Sequence, residues 1–169
     1  KTLAQDTTAL WKDSIAINST AFEAEEDGKV VYVGSKTETA LLGFARDFFG
    51  MDKISIERGN SEVTQLIPFD SGRKCMGVVI KLINGRYRLL VKGASEIMLR
   101  HCNNIIQDPT KGIESTSLSG SNREMLEHLI EVYASKSLRT IGFIYRDFEA
   151  WPPRGARRAE DDRTQAVFE

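Results

Sequence analysis

The sequence predicts an α+β domain, an antiparallel twisted sheet of about six strands packed against helices. Three observations point there. Extended apolar runs are joined by the turn signals Asp27-Gly28 and Asn84-Gly85, and hairpins of this kind make neighbouring strands antiparallel. Helical periodicity occupies separate stretches and does not alternate with every strand, which argues against a doubly wound parallel sheet. A chain of 169 residues, 41% hydrophobic and 28% charged, has the size and composition of one ordinary globular domain.

The elements follow in order. "LAQDTTALWKDSIAINS" places Leu3, Leu10, Ile15 and Ile17 at helical spacing. "AFEAEEDGKVVYVG" reads as a hairpin about Asp27-Gly28. "SKTETALLGFARDFFG" is a helix in which Ser35 and Glu38 have the spacing of a capping box, with Gly50 as its stop. A loop then leads to three strands, "EVTQLIPF", "KCMGVVIKLI" and "RYRLLV", the last two joined tightly by Asn84-Gly85. The third strand is expected to break at Lys92-Gly93-Ala94, before a short helix "ASEIMLRHC". Residues 103–120 read as loop with a short strand at Ile105-Ile106. "SNREMLEHLIEVYASKS" is a helix with a capping box at Ser121 and Glu124 and with Met125, Leu126, Leu129, Ile130 and Tyr133 on one face. "LRTIGFIYRDF" is the last strand. The domain is expected to span 1–150, with 151–169 a polar segment leading out of it and a candidate for disorder. The abrupt helical start at Lys1 and the apolar "AVF" near the far end read as cuts through a longer chain.

Net charge is −1, so no basic field collects nucleic acid or anionic lipid. No apolar run approaches the ~18 residues that span a bilayer, and the first residues lack the apolar core of a secretory signal. Cys75 and Cys102 stand alone and far apart, which favours reduced thiols over the alternative of a disulfide between them. His101-Cys102 has no second ligand pair at zinc spacing, so no metal site is expected. Asn18-Ser19-Thr20 fits the glycosylation pattern without any other sign of secretion. A P-loop, a Rossmann fingerprint and a Ser-His-Asp arrangement are all missing, and by chemistry alone the task of the domain stays open.

Four stretches taken together narrow it. "SKTETALLGF", "PFDSGRKCMGVV", "LLVKGASEIMLRHC" and "LRTIGFIYRDF" resemble, in order and spacing, the nucleotide-binding domain of P-type cation-transporting ATPases. The resemblance is closest to calcium pumps of the plasma-membrane type, including the vacuolar pumps of fungi, and covers roughly Lys1 to Trp151. "KGASE" is its most specific piece. The "DKTGT" loop that carries the phosphorylated aspartate in these pumps does not occur in this sequence, so no catalytic residue is expected.

The resemblance implies a role for each of six residues. Phe69 would stack on adenine, although a phenylalanine ending an apolar strand is otherwise core. Lys74 would lie beside the base and phosphates, and Lys92 would project into the pocket while Gly93 lets backbone approach the ligand. Glu38 would accept from the adenine amino group, in competition with its place in the capping box. Arg139 would reach the phosphates, where a guanidinium fork suits oxygen acceptors. Ser71 stands where some pumps carry an arginine, a contact that is lost here or supplied by Arg73. The implied cofactor is ATP with Mg²⁺, and the implied partners are the phosphorylation and actuator domains of a parent pump. That parent would hold the domain at the cytosolic face of a vacuolar or plasma membrane. The alternative is a regulatory or protein-docking module of the same fold that uses no nucleotide, with the mixed-charge "RGARRAEDDR" serving the docking.

Overall fold

The computed structural model describes residues 2–158 and 166–167. Helix α1 (Gln5–Ala16) buries Leu10, Ile15 and Ala16. Residues 17–21 then lead into the hairpin of β1 (Phe22–Glu26) and β2 (Lys29–Val33). Asp27 and Gly28 both take positive φ, 51° and 73°, the two-residue turn expected of an Asp-Gly pair. In α2 (Lys36–Phe49), the Ser35 hydroxyl accepts from the Glu38 N–H and Gly50 ends the helix at φ 60°, so both ends fall where the sequence places them. The stretch expected to be loop contains a further helix, α3 (Ile54–Gly59), whose 6 residues are too few to display a period.

Strand β3 (Glu62–Asp70) is followed by β4 (Cys75–Lys81) and β5 (Tyr87–Ala94). Lys81 pairs with Tyr87, and the Leu82 N–H donates to the Arg86 carbonyl at 2.8 Å. The β4–β5 connection is therefore longer than the tight turn expected at Asn84-Gly85, with Gly85 at φ 81° and Ile83 thrown fully into solvent. The strand also does not break at Lys92-Gly93. Lys92 pairs with Met76 and Phe143, and Gly93 with Cys75 and Gly142, so ladders on both sides carry β5 to Ala94.

Next come α4 (Ser95–Arg100), the ribbon of β6 (Asn104–Ile106) and β7 (Ser115–Ser117), α5 (Gly120–Ser135) and β8 (Ile141–Phe148). Helix α5 begins after Ser119, whose hydroxyl accepts from the Asn122 N–H, and not at the expected Ser121 box. It buries none of its residues, and Met125, Leu129 and Tyr133 face solvent. Arg123 fastens it by donating to the carbonyls of Leu99 (2.8 Å) and Cys102 (2.6 Å), at and just beyond the end of α4. Two short strands, β9 (Arg157–Arg158) and β10 (Ala166–Val167), pair with each other. The rest of the polar segment, 159–165 and 168–169, lies outside the described residues.

The strands divide between a 4-stranded antiparallel sheet in the order β3-β4-β5-β8 and three 2-stranded ribbons. Pro68 is tolerated in β3 because that strand is an edge and needs no donor on its outer side. Leu10 and Ile17 pack on Val78, Ile80 and Leu90 of the main sheet. Ile15 and Ala16 pack on Leu42, Ala45, Met51 and Ile54, so residues 10–17 bridge two apolar clusters. Helix α4 lies against β8 at Gly142, where a β-carbon would come within 2.7 Å of the Met98 side chain. Among the described residues no helix is long and apolar enough to cross a membrane.

Candidate functional site

The antiparallel order brings the end of β3, the start of β4, the end of β5 and the approach to β8 to one end of the main sheet. Asp70, Cys75, Gly93 and Gly142 form a row across it. Phe69 precedes the first member of that row, Lys74 the second and Lys92 the third, and Arg139 lies just ahead of β8. Glu38 reaches the same place from the first turn of α2, its Oε1 accepting from Lys92 Nζ at 3.3 Å.

Phe69 sits where the β3–β4 register slips between Ile67 and Asp70, and the residue is 64% exposed. It does not enter the core. The following turn is built by Asp70, whose Oδ1 accepts from the Arg73 N–H at 2.7 Å and whose carbonyl accepts from the Lys74 N–H at 2.7 Å. Arg73 also folds back to the Pro68 carbonyl at 3.3 Å. Lys74 takes φ 54°, a left-handed conformation that suits glycine better than lysine. Its carbonyl accepts from the Ala94 N–H at 3.2 Å. Gly93 is required at this crossing, since a β-carbon there would lie 2.5 Å from the Lys74 carbonyl oxygen. The close approach that Gly93 permits is thus between two strands of the sheet. Arg139 is exposed and makes no ion pair among the described residues.

Glu38 and Lys92 are buried, at 8% and 7% exposure. Oε1 of Glu38 accepts from the Ser19 hydroxyl (3.1 Å), the Thr20 N–H (3.0 Å) and Lys92, and Oε2 from the hydroxyls of Thr20 (3.2 Å) and Ser35 (3.3 Å). Only half of the expected capping box forms, because the carboxylate turns to residues 19–20 and Lys92 and takes no bond from the Ser35 N–H. Burial pushes the Glu38 carboxyl up, but the Thr20 N–H, the Lys92 ammonium and the Ser19 hydroxyl outweigh it and hold it below the usual carboxylate range. Burial lowers Lys92 against the pull of Glu38, and the nearby Arg58 charge lowers it further.

The segment that grips Glu38 is the one with the glycosylation pattern. Asn18 is fully buried, and its Nδ2 donates to the Met76 and Leu90 carbonyls at 3.4 Å each, which denies its amide to modification in the folded domain. Arg58 lies behind the same segment. Ser19, Thr20 and Arg58 escape sequence reasoning, and the one signal for them is a polar run between two apolar stretches where a plain loop needs none. A separate cleft of about 820 Å³, lined by Trp11, Leu89, Phe143 and Tyr145, contains none of the six motif residues. Among the described residues no cluster of His, Cys, Asp or Glu is placed to hold a metal ion.

A family model described as P-type ATPase, cytoplasmic domain N, matches residues 6–168. The chain belongs to that family. Calcium-transporting ATPase 2 of Cryptococcus neoformans is 45% identical to this domain N over 155 residues, covering 88% of the chain and 11% of the relative. Calcium-transporting ATPase PAT1 of Dictyostelium discoideum is 43% identical over 138 residues, 81% of the chain and 12% of the relative. The human plasma membrane calcium-transporting ATPase 4 is 40% identical over 131 residues, 76% of the chain and 10% of the relative. Domain N thus spans a small part of the length of these curated relatives.

Proposed function

We propose that this domain N binds ATP together with Mg²⁺ at the end of the main sheet, as the nucleotide-holding part of a calcium-transporting P-type pump. The observation that carries the reading is an exposed aromatic ring, Phe69, one residue from the row that also leads to a buried ammonium, Lys92. An ammonium has three donors, and the bond to Glu38 is the one given to the Lys92 ammonium among the described residues. Groups of this kind fit a nucleotide, since a base stacks on an aromatic face and its phosphates supply acceptors.

Phe69 would hold the base, with Lys74, Lys92 and Arg139 offering cations to the base and phosphates and Arg73 available near Phe69. Glu38 would accept from the adenine amino group. Its oxygens already receive five donors, so recognition requires the base to displace a hydroxyl or Lys92 to turn toward the nucleotide. Bound ATP and Mg²⁺ would supply the phosphoryl group for transfer to an aspartate in another domain of the pump. The work of this domain is positioning, which accounts for much of phosphoryl-transfer catalysis. The parent would sit in a vacuolar or plasma membrane, with the phosphorylation and actuator domains as the partners of this one.

The chain is expected to bind ATP reversibly without turning it over, because the sequence contains no "DKTGT" loop. Amide and side-chain shifts on adding MgATP should concentrate at Phe69, Lys74 and Lys92, with no phosphate released on long incubation. Shifts confined to other surfaces, or none, would favour the nucleotide-independent docking module. Steady ADP production by the pure chain would refute the positioning role.

A further inference from the structure

Helix α3 is tethered far more heavily than 6 residues need. Its first N–H, on Ile54, donates to Glu23 at 2.8 Å, and Glu57 pairs with Lys12 at 3.4 Å. Arg58 then reaches out of the helix. Its Nε donates to the Ala16 carbonyl at 3.0 Å, and its Nη2 to the carbonyls of Ser19 and Ala21 at 2.8 Å each. No carboxylate pairs with it among the described residues. A half-buried guanidinium is thus spent wholly on the backbone of residues 16–21, whose opposite side grips Glu38 through Ser19 and Thr20.

We infer that Arg58 is a positioning residue for the nucleotide site, fixing the Ser19-Thr20 segment that in turn fixes the Glu38 carboxylate and the Lys92 ammonium. The inference rests on the ATP-binding reading for its consequence, although the linkage itself can be seen without nucleotide. A planar fork is suited to the task because it meets three carbonyls from one rigid group, and an ammonium in its place cannot span them. Without the fork, three carbonyls lose a charged donor and the segment is free to withdraw from Glu38. The carboxylate would then keep Lys92 as its main partner and lose the donors that aim it.

The test uses the 169-residue chain as wild type, Arg58→Lys and Arg58→Met, each checked by thermal melt so that binding is measured on folded protein. Arg58→Met is expected to weaken MgATP by about tenfold and Arg58→Lys by less. In a Glu38→Gln background the Arg58 effect should shrink to about twofold or less, because the two act through one carboxylate. A nucleotide-free readout accompanies these titrations. The Thr20 amide proton should titrate with Glu38 in wild type, and Arg58→Met should raise that midpoint and move the resonance upfield. Should Arg58→Met lower the melting temperature yet leave the Thr20 titration and the ATP affinity per folded molecule unchanged, Arg58 is a structural tether only and the inference falls. Failure of wild type to bind ATP while Thr20 still responds to Arg58 would sink the ATP reading and leave the linkage standing.

Discussion

Phe69 stands one residue from the end of β3 and is 64% exposed, so the cost of truncating it separates core from contact. A core phenylalanine loses ~3–5 kcal/mol of stability on truncation to alanine. Phe69→Ala is expected to cost under ~1 kcal/mol, as surface changes do, while weakening ATP by ~1–3 kcal/mol, measured by melts and a binding titration on the same protein. Lys74 offers the converse test. Glycine tolerates its φ of 54° without the β-carbon clash, at some cost in unfolded-chain entropy. Lys74→Gly should therefore hold or raise stability, by up to about 1 kcal/mol, and still weaken ATP; a loss of stability with unchanged affinity would contradict both assignments. Glu38 is more than a cap residue. A lost cap costs ~0.5–2 kcal/mol, whereas removing one partner of a buried pair costs ~3–5 kcal/mol. Glu38→Ala is expected in the upper range because it strands Lys92, and it should also narrow the preference for ATP over GTP, which titrations of both nucleotides would reveal.

At the scale of elements, α1 carries a charge that the fold tolerates at a cost. Burial, and then the Glu57 carboxylate, push the Asp13 carboxyl up from 3.8 to about 6, against the pull of Arg88 and Lys12. The folded chain therefore binds that proton more tightly than the unfolded one. The associated stability is whole below pH 3.8 and is lost as the pH rises through about 6. Asp13→Asn should stabilise the domain by about 1 kcal/mol at pH 7, a figure discounted for partial solvent screening, and the gain should fade toward pH 4. Melts of the two proteins across that range measure it. Elements declared by local chemistry were legible in the sequence. The Ser35 hydroxyl, Gly50 and Asp27-Gly28 each fix a boundary through bonds or dihedrals within a few residues. The four motif stretches were legible as a set, and the sheet order brings Phe69, Lys74, Lys92, Gly93 and Arg139 to one end, where their part in holding a ligand is the proposal. Illegible were α3 and β7, too short to show a period, and the Ser121 box, which a nearer serine displaced. The Arg58 grip was also hidden, because its partners are backbone carbonyls about 40 residues away that carry no side-chain signature.

Over the whole molecule, the proposed binding of ATP would be linked to folding. A ligand held only by the folded chain raises stability by RT ln(1 + [L]/Kd), about 2.7 kcal/mol at a hundredfold excess over Kd. The melting temperature should climb with MgATP, and should climb less in the Phe69→Ala protein over the same concentrations. The gain will not be shared evenly along the chain. Helix α5 buries none of its own residues and is held to the body through Arg123. Its amides are expected to exchange with deuterium through a local opening that leaves the main sheet closed, and well before those of β4, where Met76, Val78, Val79 and Ile80 are buried. Arg123→Ala should speed that exchange and make α5 the first place a protease cuts. With such an opening confined to α5, a chain nicked within it should keep the main sheet and whatever MgATP binding the intact chain has, which would make this helix a ready point for inserting a tag or a reporter.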